Sequence, residues 1–227
     1  MGRMCASGGD IWEQMNGQSA DEMTKTEFPP SMISRPVYGV LEPRAGAFHL
    51  IVADGEGAEA VAEMVTKAAD PAAMLAKSHI LYTAGPNGTD QWDKIEALGA
   101  KQAQKAASIP TLLFRLARVL QDAPMGAQVY LTGTEGLMGQ AERDVMALGF
   151  PHVDIQKEHR GSTVRRVQCV HCKGITENVK TDPFQCSHCG LHLFVRDHYS
   201  RRLAAFQGVN IDAEDKGQIP PAVERFK

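Results

Sequence analysis

HLIVADGEGAEAVAEMV, residues 49–65, changes its hydrophobic period in mid-course. His49 to Ala53 form a compact, nearly continuous apolar run, the pattern of a strand buried on both faces of a parallel sheet. Asp54-Gly55-Glu56-Gly57 then turns the chain, and Ala60, Val61, Met64 and Val65 recur on one face of a helix expected over about residues 58–69.

The same alternation continues on both sides. Pro36–Leu41 reads as a lead-in strand and His79–Thr83 as a second core strand, followed by a helix near 91–106. Pro110 opens another helix, with Leu112, Leu113, Leu116, Val119 and Leu120 spaced for burial. Gln128–Thr132 is a third core strand, residues 135–148 form a helix that stops at Gly149, and His152–Ile155 closes the set. Alternating strands and helices imply a doubly wound, mostly parallel α/β domain over residues 34–160. Two of its turns, 54–64 and 132–139, bear glycine and precede helices at the carboxyl ends of strands, where such folds bind ligands. Gly55, Gly57 and Gly133 there either make tight turns or let backbone N–H groups approach a phosphate.

Beyond residue 160 the signal is cysteine. Cys169, Cys172, Cys186 and Cys189 form C-x2-C-x13-C-x2-C and hold four of the five cysteines. Two such pairs across a hairpin-length spacer can place four thiolates around one metal ion. An odd cysteine count and the lack of a charged-then-apolar signal pattern argue against disulfides. The flanks alternate, so residues 161–200 read as a zinc-ribbon or rubredoxin-like β knuckle domain. The knuckles read Cys-Val-His-Cys-Lys-Gly and Cys-Ser-His-Cys-Gly rather than the Cys-Pro-x-Cys-Gly of a rubredoxin iron site, and only Phe184 and Phe194 are nearby aromatics, so zinc is the expected metal and a single iron the alternative. His171 and His188 lie inside the knuckles, but four cysteines already saturate a tetrahedral site. Arg196–Gly208 reads as a short basic helix and its stop, so that residues 201–227 are expected as basic helix and extended tail.

Charge is unevenly spread. Residues 1–156 carry 12 Lys and Arg against 19 Asp and Glu, whereas residues 157–202 carry nine against four. An acidic module followed by a basic metal knot suggests docking, of the modules on each other or of the knot on an acidic partner. The basic stretch lacks interleaved aromatics and the chain has a net charge of −3, which argues against nucleic acid. No run of 18 apolar residues occurs, so no membrane-spanning helix is expected. Residues 1–33 show no sustained period and read as an arm that is disordered or ordered by a partner. Ala6 stands where a myristoylation signal wants Ser or Thr, and Cys5 has no assigned role.

Two resemblances sharpen these expectations. IVADGEGAEAVAEM (51–64), ILYTAG (80–85), VYLTGTEGLM (129–138) and ALGFPHVDIQKEH (147–159) follow in order the pattern of the ferredoxin–NADP reductase nucleotide-binding module. By that resemblance Gly55, Gly57 and Gly133 mark a nucleotide site. Glu56, Thr132 and Glu135 depart from the pattern, which implies a degenerate site with the two glutamates facing the phosphates. SRPVYG (34–39), the CVHC…CSHCG knot and VRDHYSRRLAAFQGVNIDAE (195–214) resemble the DmmA-like small subunit of dimethylamine monooxygenase. That resemblance implies a cytoplasmic, heteromeric, NADPH- and O2-dependent enzyme that N-demethylates dimethylamine to methylamine and formaldehyde. This chain would be an accessory scaffold, docking or electron-relay subunit without catalytic residues of its own. Heme, FMN and an iron–sulfur cluster would sit on a heme-binding oxygenase subunit and a flavin/iron–sulfur reductase subunit. The competing expectation is an autonomous NAD(P)H-dependent electron-transfer protein with a rubredoxin-like centre.

Overall fold

The computed structural model describes residues 34–86 and 89–227. The N-terminal arm, with Cys5 and Ala6, lies outside the described residues. Five parallel strands build the first sheet: β1 (Phe48–Asp54), β2 (Ser78–Thr83), β3 (Gln102–Lys105), β4 (Ala127–Gly133) and β5 (Ile155–His159). Their order is β3-β2-β1-β4-β5, so the winding reverses between β1 and β4. Successive residues of β1 serve opposite faces. Ile51 and Ala53 pack with Val61 and Met64 of α1 (Gly57–Thr66) and Ile95 of α3 (Trp92–Ala97), with α2 (Pro71–Ala76) on the same side. Leu50 and Val52 pack with Leu112 and Leu116 of α4 (Ile109–Gln121) and Val145 of α5 (Glu135–Ala147). Burying both faces explains the near-continuous apolar runs of β1, β2 and β4.

Caps fix the helix starts. The Asp70 side chain accepts from Ala73 N at 2.9 Å with Pro71 as first helical residue, and Ser108 accepts from Thr111 N at 3.4 Å ahead of Pro110. Several expected elements shift for local reasons. The helix expected near 91–106 ends at Ala97, and Gly99 at φ 68° turns the chain into the edge strand β3. That strand, QAQK, is mostly exposed and so carries no apolar run to betray it. The long helix expected over 58–69 stops at Thr66, and Asp70-Pro71 starts a new one. Pro36–Leu41 is not a strand; it follows β5 through single bonds, Gly39 N to Lys157 O at 2.8 Å and Leu41 N to the Glu158 carboxylate at 2.6 Å. His152–Asp154 is a short 3-10 turn that delivers the chain into β5.

The second sheet has the order β7-β6-β11-β10-β9, formed by β6 (Arg165–Cys169), β7 (Ile175–Val179), β9 (Phe184–Gln185), β10 (His192–Ser200) and β11 (Ala205–Asn210). A two-stranded ribbon joins β8 (Thr181–Asp182) to β12 (Val223–Glu224). The expected basic helix over Arg196–Gly208 is therefore a β-hairpin. Its residues have helix-forming composition, but Leu193, Val195, Tyr199 and Phe206 alternate into a common core, and Phe206, Gln207 and Gly208 pair in parallel with Val167, Gln168 and Cys169 of β6. Tertiary pairing overrides local propensity here. Both sheets belong to one compact unit, Arg35–Lys227.

Candidate metal centre and sheet-end crevice

The ribbon brings its four cysteines together by repeating one turn. Cys169 ends β6 and Cys186 follows β9; Lys173 N donates to Cys169 O and Gly190 N to Cys186 O, each at 3.0 Å. The residue after each second cysteine has left-handed backbone, φ 63° at Lys173 and 76° at Gly190. Glycine accepts that conformation freely and lysine does not. All four Sγ atoms lie within 4.8 Å of one another, with Cys169–Cys189 at 3.8 Å and Cys172–Cys186 at 3.7 Å. A tetrahedron with metal–sulfur bonds of about 2.3 Å has edges of about 3.8 Å, so this donor set fits one thiolate-bound ion. Burial resists ionisation of Cys186, but the backbone N–H groups of Cys189 and His188 outweigh it and bring the thiol down to about 6. His188 is committed elsewhere, with Nε2 at 2.9 Å from Ile175 O and its ring against Gly174; His171 is exposed. Neither histidine belongs to the ligand set, which among the described residues is the four cysteines alone.

At the carboxyl end of the first sheet, the glycines that could admit a phosphate are occupied by the chain itself. Gly55 turns at φ 46°. A Cβ on Gly57 would lie 2.8 Å from the carbonyl carbon and oxygen of Thr132, so this glycine lets the start of α1 press on β4. Gly133, at φ 116°, leaves room for the side chain of Asp54, with which any Cβ would overlap. Asp54 is 1 % exposed and accepts from Thr134 N at 2.7 Å and Thr134 Oγ1 at 2.6 Å. Burial raises its pKa to about 6, against the pull of those two bonds.

The two glutamates expected to face a phosphate lie elsewhere. Glu56 precedes α1 without capping it and sits beside Gly161, and Glu135 takes a hydrogen bond from the Tyr38 hydroxyl. Sequence reasoning missed Asp54 because an acidic residue in a glycine turn reads as turn chemistry. The available signal was its place, directly after the four apolar residues Leu50 to Ala53. Beside this point a cleft of about 370 Å³ opens between Gly85, Ile109, Thr134 and Gly136 of the α/β layers and Arg166 and Glu177 of the ribbon.

The ribbon closes over α5 at two further glycines. A Cβ on Gly136 would sit 3.8 Å from Arg166 Cγ, and one on Gly139 would meet Ala204 Cβ at 3.2 Å and collide with the Tyr199 hydroxyl. Much of the basic excess is consumed internally. Lys157 Nζ lies 2.7 Å from both oxygens of buried Glu142, Arg160 bridges Glu158 and Glu63, and Arg166 pairs with Glu177 at 2.8 Å. Arg165 bonds Asp197 at 2.9 Å while its guanidinium stands 4.0 and 4.3 Å from the ring centroids of Phe206 and Phe226. Arg196, Arg201 and Arg202 are exposed on the β10–β11 hairpin and form no ion pair among the described residues.

Solved structures of low similarity include phthalate dioxygenase reductase (16% identity, TM-score 0.42, 62% of this chain) and the flavohemoglobin of Malassezia yamatoensis (18%, TM-score 0.35, 51%). The chain spans less than half of either, 46% and 32% respectively. It is 31% identical over 149 residues to the heme-dependent oxidative N-demethylase delta subunit of Ectopseudomonas mendocina (strain ymp), covering 63% of this chain and 85% of that one. Residues 30–155 match the N-terminal domain of the dimethylamine monooxygenase subunit DmmA-like family and residues 166–209 its C-terminal domain. With both domains matched in order, across the α/β layers and the cysteine ribbon alike, the chain belongs to the DmmA-like family of dimethylamine monooxygenase subunits.

Proposed function

We propose that this chain is an accessory, non-heme subunit of a cytoplasmic monooxygenase that N-demethylates dimethylamine. The overall reaction consumes dimethylamine, O2, NADPH and a proton, and yields methylamine, formaldehyde, NADP+ and water. The family match and the relationship to an N-demethylase delta subunit support the assignment. The observation that carries an accessory role is the character of the two sites. Four thiolates complete a tetrahedron without an open position for substrate, and Asp54 already occupies the crevice where a nucleotide phosphate would bind.

In this reading Cys169, Cys172, Cys186 and Cys189 hold one structural zinc ion, and Gly55, Gly57 and Gly133 mark a nucleotide site that has lost its ligand. Heme, flavin and iron–sulfur chemistry belong to partner subunits. The exposed Arg196, Arg201 and Arg202, which form no ion pair among the described residues, dock the hairpin on an acidic face of one of them, since arginine forks suit carboxylates. The test is copurification with the neighbouring subunits followed by metal analysis. About one equivalent of zinc per chain is expected, with complex assembly weakened by reversing Arg201 and Arg202 to Glu while the chain stays folded. Stoichiometric iron with thiolate-to-iron absorption bands would replace the scaffold by an electron relay. Normal assembly of the reversed variant would move the docking face elsewhere.

A further inference from the structure

The carboxyl end of the first sheet contains an anion of its own. At the end of β1, Asp54 reaches across to the start of α5 and takes both hydrogen-bond donors of Thr134, the backbone N–H at 2.7 Å and the hydroxyl at 2.6 Å. Thr134 is the N-cap of a 13-residue helix, so these donors stand at its positive end. The fit is steric as well as electrostatic. Gly133 has no side chain only where one would overlap this carboxylate, and a Cβ on Gly85 would come within 3.2 Å of its other oxygen. On the far side of the reversal point, Gly57 abuts the Thr132 backbone and leaves no gap in front of α1. Two glycines from two loops, Gly133 and Gly85, thus converge on one buried acid.

The geometry points to Asp54 as an internal anion that holds the start of α5 and makes this crevice refuse phosphate-bearing ligands. The idea rests on the reading of the chain as nucleotide-free, and deepens it by naming the residue responsible. It also differs from repulsion by Glu56 or Glu135, whose side chains lie beside Gly161 and Tyr38. Occupancy, not distant charge, is what excludes the ligand. A side chain of the same shape without the charge should then exclude it too.

The experiment uses the full metal-loaded chain, inorganic pyrophosphate and NADPH as probes, calorimetry at low salt, and amide NMR of Thr134 and Gly136. The unaltered chain and Asp54→Asn should bind neither probe measurably, because asparagine still fills the seat. Asp54→Ala vacates it and should tighten pyrophosphate binding at least about tenfold, as regained charge-assisted hydrogen bonds would, with shifts centred on Thr134. Should Asp54→Ala lose native circular dichroism, Asp54→Ser, shorter by one atom group, serves the same purpose with the same expected gain. An unchanged affinity in the folded, shortened variant, or an equal gain in Asp54→Asn or Glu56→Thr, overturns the inference. Micromolar NADPH binding by the unaltered chain would instead overturn the nucleotide-free reading itself, and the two failures are therefore distinct.

Discussion

In β1 four successive residues, Leu50, Ile51, Val52 and Ala53, are fully buried, whereas in β10 burial alternates: Leu193 and Val195 point inward while Phe194 and Arg196 face out. The first sheet is sandwiched between two layers of helix and draws its stability from apolar area, about 1.5–3 kcal/mol for each large side chain fully buried. The ribbon has one core face, a small cluster around Val167, Phe184, Leu193, Tyr199, Phe206 and Phe226. A sheet that small cannot pay its own conformational entropy; the Arg165 guanidinium beside Phe206 and Phe226 adds to its core, and the ion we propose for the cysteine tetrad would complete it. One region is organised by solvent exclusion, the other, in the proposed reading, by coordination.

Removing the proposed ion, by chelation or by Cys169→Ser, should give the largest effect. Structural zinc contributes on the order of 10 kcal/mol to the folding of small domains. Amides of β6, β7, β10 and β11 should lose their hydrogen-exchange protection while those of β1, β2 and β4 keep it. Simultaneous loss in both sheets would break the contrast and show that the closure over α5 makes them one cooperative unit.

Asp54→Asn should come next, and its sign depends on pH. The folded-state pKa is raised, from 3.8 to about 6, so ionising Asp54 costs the native state. That penalty is absent below about pH 4, grows as pH rises through about 6, and reaches about 3 kcal/mol once the acid is charged. Asparagine retains an acceptor for Thr134 N and offers its amide to the hydroxyl. The variant should match the parent at pH 4 and be more stable at pH 8 by up to about 3 kcal/mol. Denaturant titrations at both pH values check this; equal differences at the two would remove the burial penalty from the account.

Gly139→Ala probes the seam between the regions. The added methyl collides with the Tyr199 hydroxyl and crowds Ala204, so a loss of about 1–3 kcal/mol is expected. A silent substitution would mean that the hairpin slides freely on α5. The smallest effect should be a gain: Lys173→Gly relieves left-handed backbone in the first knuckle, raising the stability of the metal-loaded ribbon by roughly 0.5–1 kcal/mol. No gain would indicate that the Lys173 Nζ bond to Val170 O, at 2.6 Å, offsets the strain.

Legibility followed the same division. β1, β2 and β4 could be read because both of their faces are buried, and the cysteine cluster because its members are spaced by the chain itself. β3 could not be read, since QAQK at an exposed edge has no pattern to show. The β10–β11 hairpin was hidden by Arg201-Arg202-Leu203-Ala204, a helix-favouring string that forms its turn, while Phe206 to Gly208 take their strand identity from β6, more than thirty residues earlier. Asp54 was visible as a residue but not as an occupant, because its partner Thr134 lies eighty positions away.

The parallel pairing of β6 with β11 has a kinetic consequence. Cys169 lies opposite Gly208, so the chain must close a loop of nearly forty residues before this contact can form. Both knuckles lie within that loop. An ion already joining Cys169 to Cys189, as we propose, would leave only the nineteen-residue span from Cys189 to Gly208 to search. Halving a loop lowers its closure cost by about 0.6 kcal/mol, roughly a threefold faster encounter. The proposed ion would therefore do more than hold the finished ribbon together: it would shorten the search for the least local pairing in the sheet.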